Sequence, residues 1–372
     1  MKLKRHGILA GIALTAATLA LAGCGSDNTT PPSSSSSSGA STAAKINCAT
    51  GSLTAQGSTA QTNAITEWIK QYQTACSGAT INYQGTGSGA GVTAFNNKSS
   101  DFSGSDSPLK VPTESDAAKT RCGGNQAIDL PMVVGPIAVA YNLDGVTGLQ
   151  LKPATLAKIF SGKIAKWDDP LIKADNPSAT LPSTAIASIH RQEDSGTTDN
   201  FTNYLTVAAA SDWTYNHAKA WKAPGGQALK GSDGVAGAIK STPGAIGYVE
   251  LSFAQNSSLS MAKIYNGAGA YQELTGESAG KTIEGATVVG TDKDLSLKID
   301  YNTTTAGAYP IVLATYEIVC SSGNDAAKLP LLKSFLTYIS GTDGQAKLAD
   351  LGYAPLPATV QAKVAAAVAA LA

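Results

Sequence analysis

The sequence has few charged side chains and no excess of either sign. Charged residues make up 15% of the 372 residues, and Lys+Arg and Asp+Glu each total 27, so the net charge is zero. A basic face or stripe is the usual mark of a protein that binds nucleic acid, and these totals offer none. We therefore predict no nucleic-acid partner. The abundance of small residues favours an exported α/β protein.

The sequence also lacks the patterns of a metal centre or a serine hydrolase. It contains 3 histidines and no Cys-x-x-Cys pair, so we predict no metal site and no cofactor. Ser195 is close to His190 in the chain, but we predict no Gly-x-Ser-x-Gly elbow in the sequence. His190 falls in a predicted strand, where we expect a partly buried structural histidine rather than a general base.

Long apolar runs of the kind that cross a membrane are missing beyond the first residues. Lys2, Lys4 and Arg5 precede an apolar run over residues 8–22, which is the layout of a signal peptide. The run ends in Leu-Ala-Gly-Cys24, which resembles a bacterial lipobox and implies cleavage before Cys24 and lipidation of its sulfur. We predict a signal peptide over 1–23, a lipidated Cys24 with a serine-rich tether over 24–45, and anchoring to the outer face of the cytoplasmic membrane. An ordinary signal peptide with a chance cysteine is the alternative.

Four further cysteines remain after Cys24. An even number in an exported chain indicates two disulfides, for which three connectivities exist. Cys48 is predicted to start the first strand and Cys76 ends the helix that follows it, so these two are expected to be neighbours. We favour Cys48–Cys76 and Cys122–Cys320.

Short predicted strands and helices alternate along the rest of the chain. Apolar residues recur at helical spacing over 59–76, after a strand at 52–55 and before another at 80–83. The alternation predicts an α/β fold with mainly parallel strands. Two apolar runs, 127–141 and 310–319, are long enough to carry the chain from one lobe to another and back.

A dense polar cluster lies at residues 189–201, IHRQEDSGTTDNF. It follows a predicted strand and precedes a predicted helix, with Ser195 as the expected N-cap. A helix N-terminus offers free backbone N–H groups and a positive dipole end, and the Arg191 guanidinium adds a fork of donors that fits an oxyanion. The cluster therefore predicts an anion site.

Three earlier stretches have the same order of strand end, small or hydroxyl residues and helix. They are Ser58-Thr59-Ala60, Gly87-Ser88-Gly89 and Ser105-Asp106-Ser107. Each alone is explained by a helix cap or a turn, but their repetition at strand ends is typical of a ligand site. A dinucleotide site is the rival interpretation, because residues 85–90 fit G-x-G-x-x-G/A; the short helix that follows and the exported location disfavour it.

These segments together resemble one known family. The matching motifs are LTAQGST (53–59), YQGTGSGAG (83–91), DFSGSD (101–106) and RQEDSGTT (191–198), with IFSGKI (159–164), WDD (167–169), PGAIGYVE (243–250) and GYAPLP (352–357) in support. The chain is similar to the phosphate-specific ABC-transporter substrate-binding protein family, PstS, and its cysteine pattern looks like that of actinobacterial members. The resemblance implies a two-lobed α/β periplasmic-binding-protein (type II) fold with a ligand cleft between the lobes. We place lobe 1 at 46–132 plus 302–372 and lobe 2 at 133–301.

The resemblance also implies the ligand set for phosphate. Lobe 1 would supply the Thr59 hydroxyl, the Ala60 N–H, Ser88 and the Asp106 carboxylate, and lobe 2 would supply Arg191, Ser195, the Gly196 N–H and Thr197. The family commonly reads R-x-D-G-S-G-T, whereas Glu193-Asp194 replaces the D-G pair here. Glu193 either orients Arg191 or accepts a ligand proton, and Asp194 either is a solvated turn residue or takes over that role.

The resemblance thus implies a non-enzymatic phosphate-binding protein that delivers phosphate to the permease and ATPase of an ABC importer by lobe closure. A buried Asp106 facing an anion is tolerable if the anion carries a proton to donate, which phosphate does at neutral pH and sulfate does not. Arsenate also carries a proton at neutral pH, so the sequence does not distinguish a phosphate site from an arsenate site. A secreted enzyme acting on phosphate esters is the main functional alternative.

Overall fold

The structure, a computed structural model, describes residues 46–372. The predicted signal peptide, the lipidation site Cys24 and the tether over 24–45 lie outside the described residues. Within residues 46–372, no helix is long and apolar enough to span a membrane.

Strands and helices alternate along most of this range. The strands are β1 (Gly51–Gly57), β2 (Ala79–Gly85), β3 (Phe102–Ser105), β4 (Ala127–Tyr141), β5 (Gln150–Leu151), β6 (Ala187–Arg191), β7 (Gln227–Leu229), β8 (Ala245–Glu250), β9 (Ser260–Met261), β10 (Lys263–Tyr265), β11 (Tyr271–Gln272), β12 (Thr287–Val288), β13 (Leu297–Lys298) and β14 (Val312–Cys320). The helices are α1 (Thr62–Ala75), α2 (Ser88–Asn96), α3 (Thr113–Arg121), α4 (Pro153–Phe160), α5 (Pro170–Asp175), α6 (Gly196–Ala208), α7 (Gly231–Ser241), α8 (Leu251–Asn256), α9 (Gly276–Glu284), α10 (Leu329–Ser340), α11 (Thr342–Gln345) and α12 (Ala358–Ala369).

The largest sheet has the strand order β2-β1-β3-β14-β4-β8-β6-β7. Strands β1, β2 and β3 are parallel to one another at one end, as are β6, β7 and β8 at the other. The middle of the sheet is antiparallel, because β14 pairs antiparallel with β3 and β4, and β4 pairs antiparallel with β8. The prediction of mainly parallel pairing is therefore correct for the two ends and wrong for the centre.

The antiparallel centre consists of the two long apolar runs. Strand β4 pairs with β14 up to Pro136 and with β8 from Ile137 onward. Its first half packs into one hydrophobic core, with Ile128 and Leu130, and its second half packs into another, with Val139 and Tyr141. The prediction that residues 127–141 cross between two lobes is confirmed, since one strand contributes to both cores.

The two hydrophobic cores do not follow the predicted lobe limits at every residue. Ala279, Ile283 and Leu295, from the range predicted as lobe 2, pack with β1, α1 and α10 in the first core. Tyr309 and Leu313, from the range predicted as the returning part of lobe 1, pack in the second core. The limits 46–132 plus 302–372 and 133–301 stay a prediction.

Both predicted disulfides are present. Cys48 is bonded to Cys76, and Cys122 is bonded to Cys320. The first ties the start of the described chain to the end of α1. The second ties the end of α3 to the end of β14, across a sequence separation of 198 residues. Cys76 packs in the first core, whereas Cys122 and Cys320 pack in a smaller cluster with Phe95 and Ile318.

We expect the long-range disulfide to contribute more to stability than the short-range one. Closing loops of 28 and 198 residues removes unfolded-state entropy worth about 3.5 and about 5 kcal/mol in the chain-entropy model. Guanidinium unfolding of the Cys122→Ser/Cys320→Ser and Cys48→Ser/Cys76→Ser variants measures both losses. A larger loss from the Cys48/Cys76 pair would contradict this ranking.

Candidate anion-binding site

The N-terminus of α6 forms one wall of the site. Ser195 is the N-cap, and its Oγ accepts a hydrogen bond from the Thr198 N–H at 3.3 Å. The predicted N-cap is therefore confirmed. The first N–H groups of a helix have no intrahelical acceptor, so the N–H groups of Gly196 and Thr197 point outward from the end of the helix dipole.

Arg191 is the last residue of β6 and is 2% exposed. Its Nε donates to Glu193 Oε1 at 3.0 Å, its Nη2 donates to the same oxygen, and its Nη1 lies 3.4 Å from Thr197 Oγ1. One edge of the guanidinium is thus fixed by Glu193, and the other faces the start of α6. A fixed planar fork of this kind suits a tetrahedral oxyanion.

The opposite wall comes from the ends of three parallel strands. Thr59 and Ala60 follow β1, Ser88 begins α2 after β2, and Asp106 follows β3. All four residues are buried. Because the carboxyl ends of parallel strands meet at one edge of a sheet, residues far apart in sequence converge here.

Asp106 is the centre of this wall and is 2% exposed. Its Oδ1 accepts hydrogen bonds from Ser58 Oγ and, at 2.8 Å, from Thr315 Oγ1. Its Oδ2 accepts from Ser88 Oγ at 3.3 Å and from Thr197 Oγ1 at 3.5 Å. The two oxygens therefore differ, because Oδ1 faces the protein interior and Oδ2 faces the predicted donors of both walls.

Burial raises the pKa of Asp106 above its usual value, while the hydroxyls of Ser58 and Thr315 and the Arg191 charge act in the opposite direction. Glu317, two residues beyond Thr315 on β14, is also buried, and burial raises its pKa to about 8. Glu317 is therefore mostly uncharged at neutral pH. Arg191 is the cation whose charge favours the ionised form of Asp106.

The two walls are in contact. The Gly89 N–H donates to the Asp194 carbonyl at 3.0 Å, and Thr59 Oγ1 lies 2.9 Å from Ser232 Oγ at the start of α7. Asn200 Nδ2 donates to the Asp106 carbonyl at 2.8 Å. The structure therefore has the predicted site residues of both walls gathered in one buried cluster.

The approach of the walls requires glycine at position 196. A Cβ added to Gly196 would lie 2.6 Å from Asp106 Cβ and 2.8 Å from Ser88 Oγ. These distances are shorter than van der Waals contact. A side chain at this position would push the α6 N-terminus away from Asp106 and separate the two walls.

Glu193 and Asp194 have different surroundings. Glu193 Oε1 accepts from Arg191 and from the Gly231 N–H at 3.1 Å, so the carboxylate joins the guanidinium to the start of α7. The Asp194 side chain is exposed, and only its backbone carbonyl joins the opposite wall. Of the roles left open by the sequence, these contacts favour Glu193 as the group that orients Arg191 and Asp194 as a turn residue.

Several backbone donors in the cluster are unpaired. The N–H groups of Thr59, Ala60, Ser88, Gly196 and Thr197 have no acceptor within residues 46–372. An unpaired buried N–H group is costly and rare in folded proteins. Five such donors beside Arg191 and the hydroxyls of Ser88 and Thr197 are suited to an anion with several acceptor oxygens.

The features that suggested a hydrolase are not assembled into a catalytic group. His190 stacks on Trp221, and its Nδ1 lies 2.9 Å from the Arg191 carbonyl. The prediction that the sequence has no Gly-x-Ser-x-Gly pattern is wrong, since residues 276–280 read GESAG. They form the first turn of α9, where Ser278 completes a capping box with Thr275. No group of three or more His, Cys, Asp or Glu side chains within 46–372 is arranged to hold a metal ion.

Sequence reasoning missed three hydroxyls at the site. Ser58 and Thr315 bind Asp106, and Ser232 lies against Thr59. Ser58 lies in the polar stretch Ser58-Thr59-Ala60, but the sequence predicted its neighbour Thr59 as the ligand. One feature of the sequence could have indicated Thr315, since it is a polar residue inside the long apolar run of β14.

A pH-dependent contact lies at the edge of the cluster. Asp199 Oδ1 lies 2.7 Å from His217 Nδ1, and Asp199 Oδ2 accepts from Ser107 Oγ at 2.6 Å. The hydrogen bond to Asp199 raises the pKa of His217, and the hydrogen bond from His217 helps to lower the pKa of Asp199, against its burial. His217 therefore stabilises the fold fully below its ordinary pKa of 6.5, and this contribution is lost as the pH rises through the raised value.

We expect His217→Gln to destabilise the protein more at about pH 5.5 than at about pH 8.5. Urea unfolding of both proteins at the two pH values measures the difference in unfolding free energy. The same substitution in an Asp199→Asn background is the control and should show little pH dependence. A difference that grows toward alkaline pH would contradict the assignment.

Comparisons with known proteins agree with this architecture. A family model described as a PBP superfamily domain matches residues 38–342. Among solved structures, the high affinity periplasmic phosphate-binding protein PfluDING, bound with phosphate, has a TM-score of 0.70 at 23% identity, covering 85% of this chain and 93% of its own. A human phosphate binding apolipoprotein has a TM-score of 0.68 at 22% identity, covering 84% of this chain and 93% of its own. The fold is that of the two-lobed binding proteins, which confirms the predicted α/β fold class.

Curated relatives define the family more narrowly. Phosphate-binding protein PstS 3 of Mycobacterium tuberculosis is 44% identical over 376 aligned positions, which cover 100% of both chains. PstS of Xylella fastidiosa is 35% identical over 297 positions, covering 79% of this chain and 78% of its own. The chain belongs to the PstS family of phosphate-binding proteins, which confirms the predicted resemblance. The family consists of binding proteins rather than enzymes, as predicted.

Proposed function

We propose that this chain binds inorganic phosphate between its two lobes and delivers it to an ABC importer. The observation that supports this most directly is the environment of Asp106. One buried carboxylate oxygen faces the hydroxyls of Ser88 and of Thr197 in the first turn of α6, and the Arg191 charge favours its ionised form. A set of many donors and one acceptor matches an oxyanion that still carries a proton.

The proposed roles follow from these contacts. Arg191 and the N–H groups of Gly196 and Thr197 balance the anion charge, and the hydroxyls of Thr59 and Ser195 donate to its oxygens. The hydroxyls of Ser88 and Thr197 each have one proton, which they turn from Asp106 Oδ2 to the anion when it binds. The N–H groups of Ala60 and Ser88 complete the set from the first wall. Asp106 Oδ2 accepts the proton of the ligand. An anion without a proton would leave that carboxylate unpaired beside a like charge, which is costly in a buried site.

Delivery requires that the site open and close. The donors come from both lobes, so a bound anion stabilises the closed arrangement by joining them. We infer that the closed form is the one recognised by the membrane permease, which works with its ATPase. We also propose that the protein is exported and held at the outer face of the cytoplasmic membrane through lipidated Cys24, which is supported by the lipobox at residues 21–24.

A calorimetric titration with phosphate, arsenate and sulfate tests the binding proposal. We expect phosphate and arsenate to bind and sulfate to be rejected at neutral pH. A chromogenic phosphate ester incubated under the same conditions should not turn over. Absence of phosphate binding, or ester turnover that depends on the chain, would overturn the proposal.

A further inference from the structure

Two hydroxyl groups behind Asp106 have no part in the proposed contacts with the anion. Ser58 Oγ and Thr315 Oγ1 both donate to Asp106 Oδ1, the oxygen that faces away from Ser88 and Thr197. Both hydroxyls are completely buried. Oδ2 accepts only longer contacts, at 3.3 Å from Ser88 Oγ and 3.5 Å from Thr197 Oγ1, so a proton taken up by this carboxyl is favoured at Oδ2.

Thr315 lies beside an irregularity of the sheet, where Met132 of β4 has no partner on β14. Strand β14 shifts register against β4 between Thr315 and Tyr316. Such bulges redirect side chains and are frequent beside functional sites. Tyr316 on the other face packs in the first core, while Thr315 points to Asp106, which directly follows the paired strand β3.

We propose that Ser58 and Thr315 set the discrimination between phosphate and sulfate by keeping Asp106 a hydrogen-bond acceptor. The inference rests on the phosphate site proposed above. An ionised Asp106 presents only lone pairs at Oδ2 and rejects an anion without a proton. A protonated Asp106 would present a donor at Oδ2, and a fully ionised sulfate could then bind.

Opposing effects act on these two forms, because the carboxyl is both buried and hydrogen-bonded. Burial favours the protonated form of Asp106, and donors to the carboxylate favour the ionised form. Arg191 also favours the ionised form. The other titratable groups that interact with Asp106 are Glu317, Glu250 and Tyr83, and burial raises the pKa of each of them. Burial therefore favours the uncharged form of each of these three groups.

The test is the pH dependence of sulfate binding, because sulfate stays fully ionised while Asp106 titrates. We expect wild-type protein to bind sulfate only in acid. Thr315→Val keeps the side-chain shape and removes one donor, and it should move the onset of sulfate binding toward neutral pH by about 1–2 units. Thr315→Ser retains the hydroxyl and should restore the wild-type profile.

Ser58→Ala provides an independent second variant and should shift the profile in the same direction. A purely structural role would lower the affinity for both anions without moving the pH profile. If both Thr315→Val and Ser58→Ala keep the wild-type sulfate profile, or if Thr315→Ser behaves like Thr315→Val, the inference is wrong. Phosphate binding by wild-type protein is measured in the same series, so failure of the proposed function is recognised separately.

Discussion

Replacing Arg191 with alanine is expected to lower the affinity for phosphate by about 30- to 5,000-fold. Arg191 is buried, and its guanidinium is held between Glu193 and Thr197. Removing one partner of a buried, charge-assisted contact costs about 2–5 kcal/mol, which corresponds to this range of affinity. Calorimetric titration with phosphate measures the loss directly.

Part of that loss would come from the carboxylate left behind. Without Arg191, Glu193 keeps only its contact with the Gly231 N–H. The double variant Arg191→Ala/Glu193→Gln removes the stranded charge and should recover part of the affinity. Arg191→Lys keeps the charge without the planar fork and should lie between alanine and wild type. Near-normal affinity of Arg191→Ala would show that the anion lies elsewhere.

Replacing Asp106 with asparagine should change selectivity more than phosphate affinity. The amide has nearly the same shape, carries no charge and can turn a donor toward the anion. Removing a like charge from a buried site should raise the sulfate affinity by about 100-fold or more. Phosphate loses one acceptor for its proton and should weaken by about 10-fold. Competition of sulfate against labelled phosphate gives the ratio.

Asp199 offers a matched control for this experiment. It is a second carboxylate near the cluster, but its oxygens bind Ser107 and His217 rather than the anion donors. Asp199→Asn is chemically the same substitution and should leave the ratio of phosphate to sulfate affinity unchanged. Continued exclusion of sulfate by Asp106→Asn, or equal effects of the two variants, would contradict the role of Asp106.

Local features of the site were predictable because they depend on neighbouring residues. Ser195 caps α6 through a contact three residues away, and a capping serine between a strand and an amphipathic helix is a local signal. The crossing strand β4 was also visible, since its apolar run is longer than one core requires. Cys48 and Cys76 were paired because a strand and the helix after it pack together.

Other features depend on pairings between distant segments. Thr315 contacts Asp106 across a sequence separation of 209 residues, and the pairing of β14 beside β3 that brings the two together leaves no mark in the local sequence. The antiparallel centre of the sheet was missed for the same reason. The alternation of strands and helices along the chain does not indicate whether β4 and β14, which are far apart in sequence, pair parallel or antiparallel. The contacts that favour a role for Glu193 in orienting Arg191 include the Gly231 N–H, which comes close to Glu193 only in the folded chain.

The most direct test of the account is a crystal structure of the phosphate complex. We predict an anion held by both walls, with Arg191 and the Gly196 N–H on one side and Ser88 on the other. One phosphate oxygen should lie about 2.5–2.7 Å from Asp106 Oδ2, as expected for a protonated oxygen donating to a carboxylate. An anion bound outside this cluster, or one held without Asp106, would contradict the central claim.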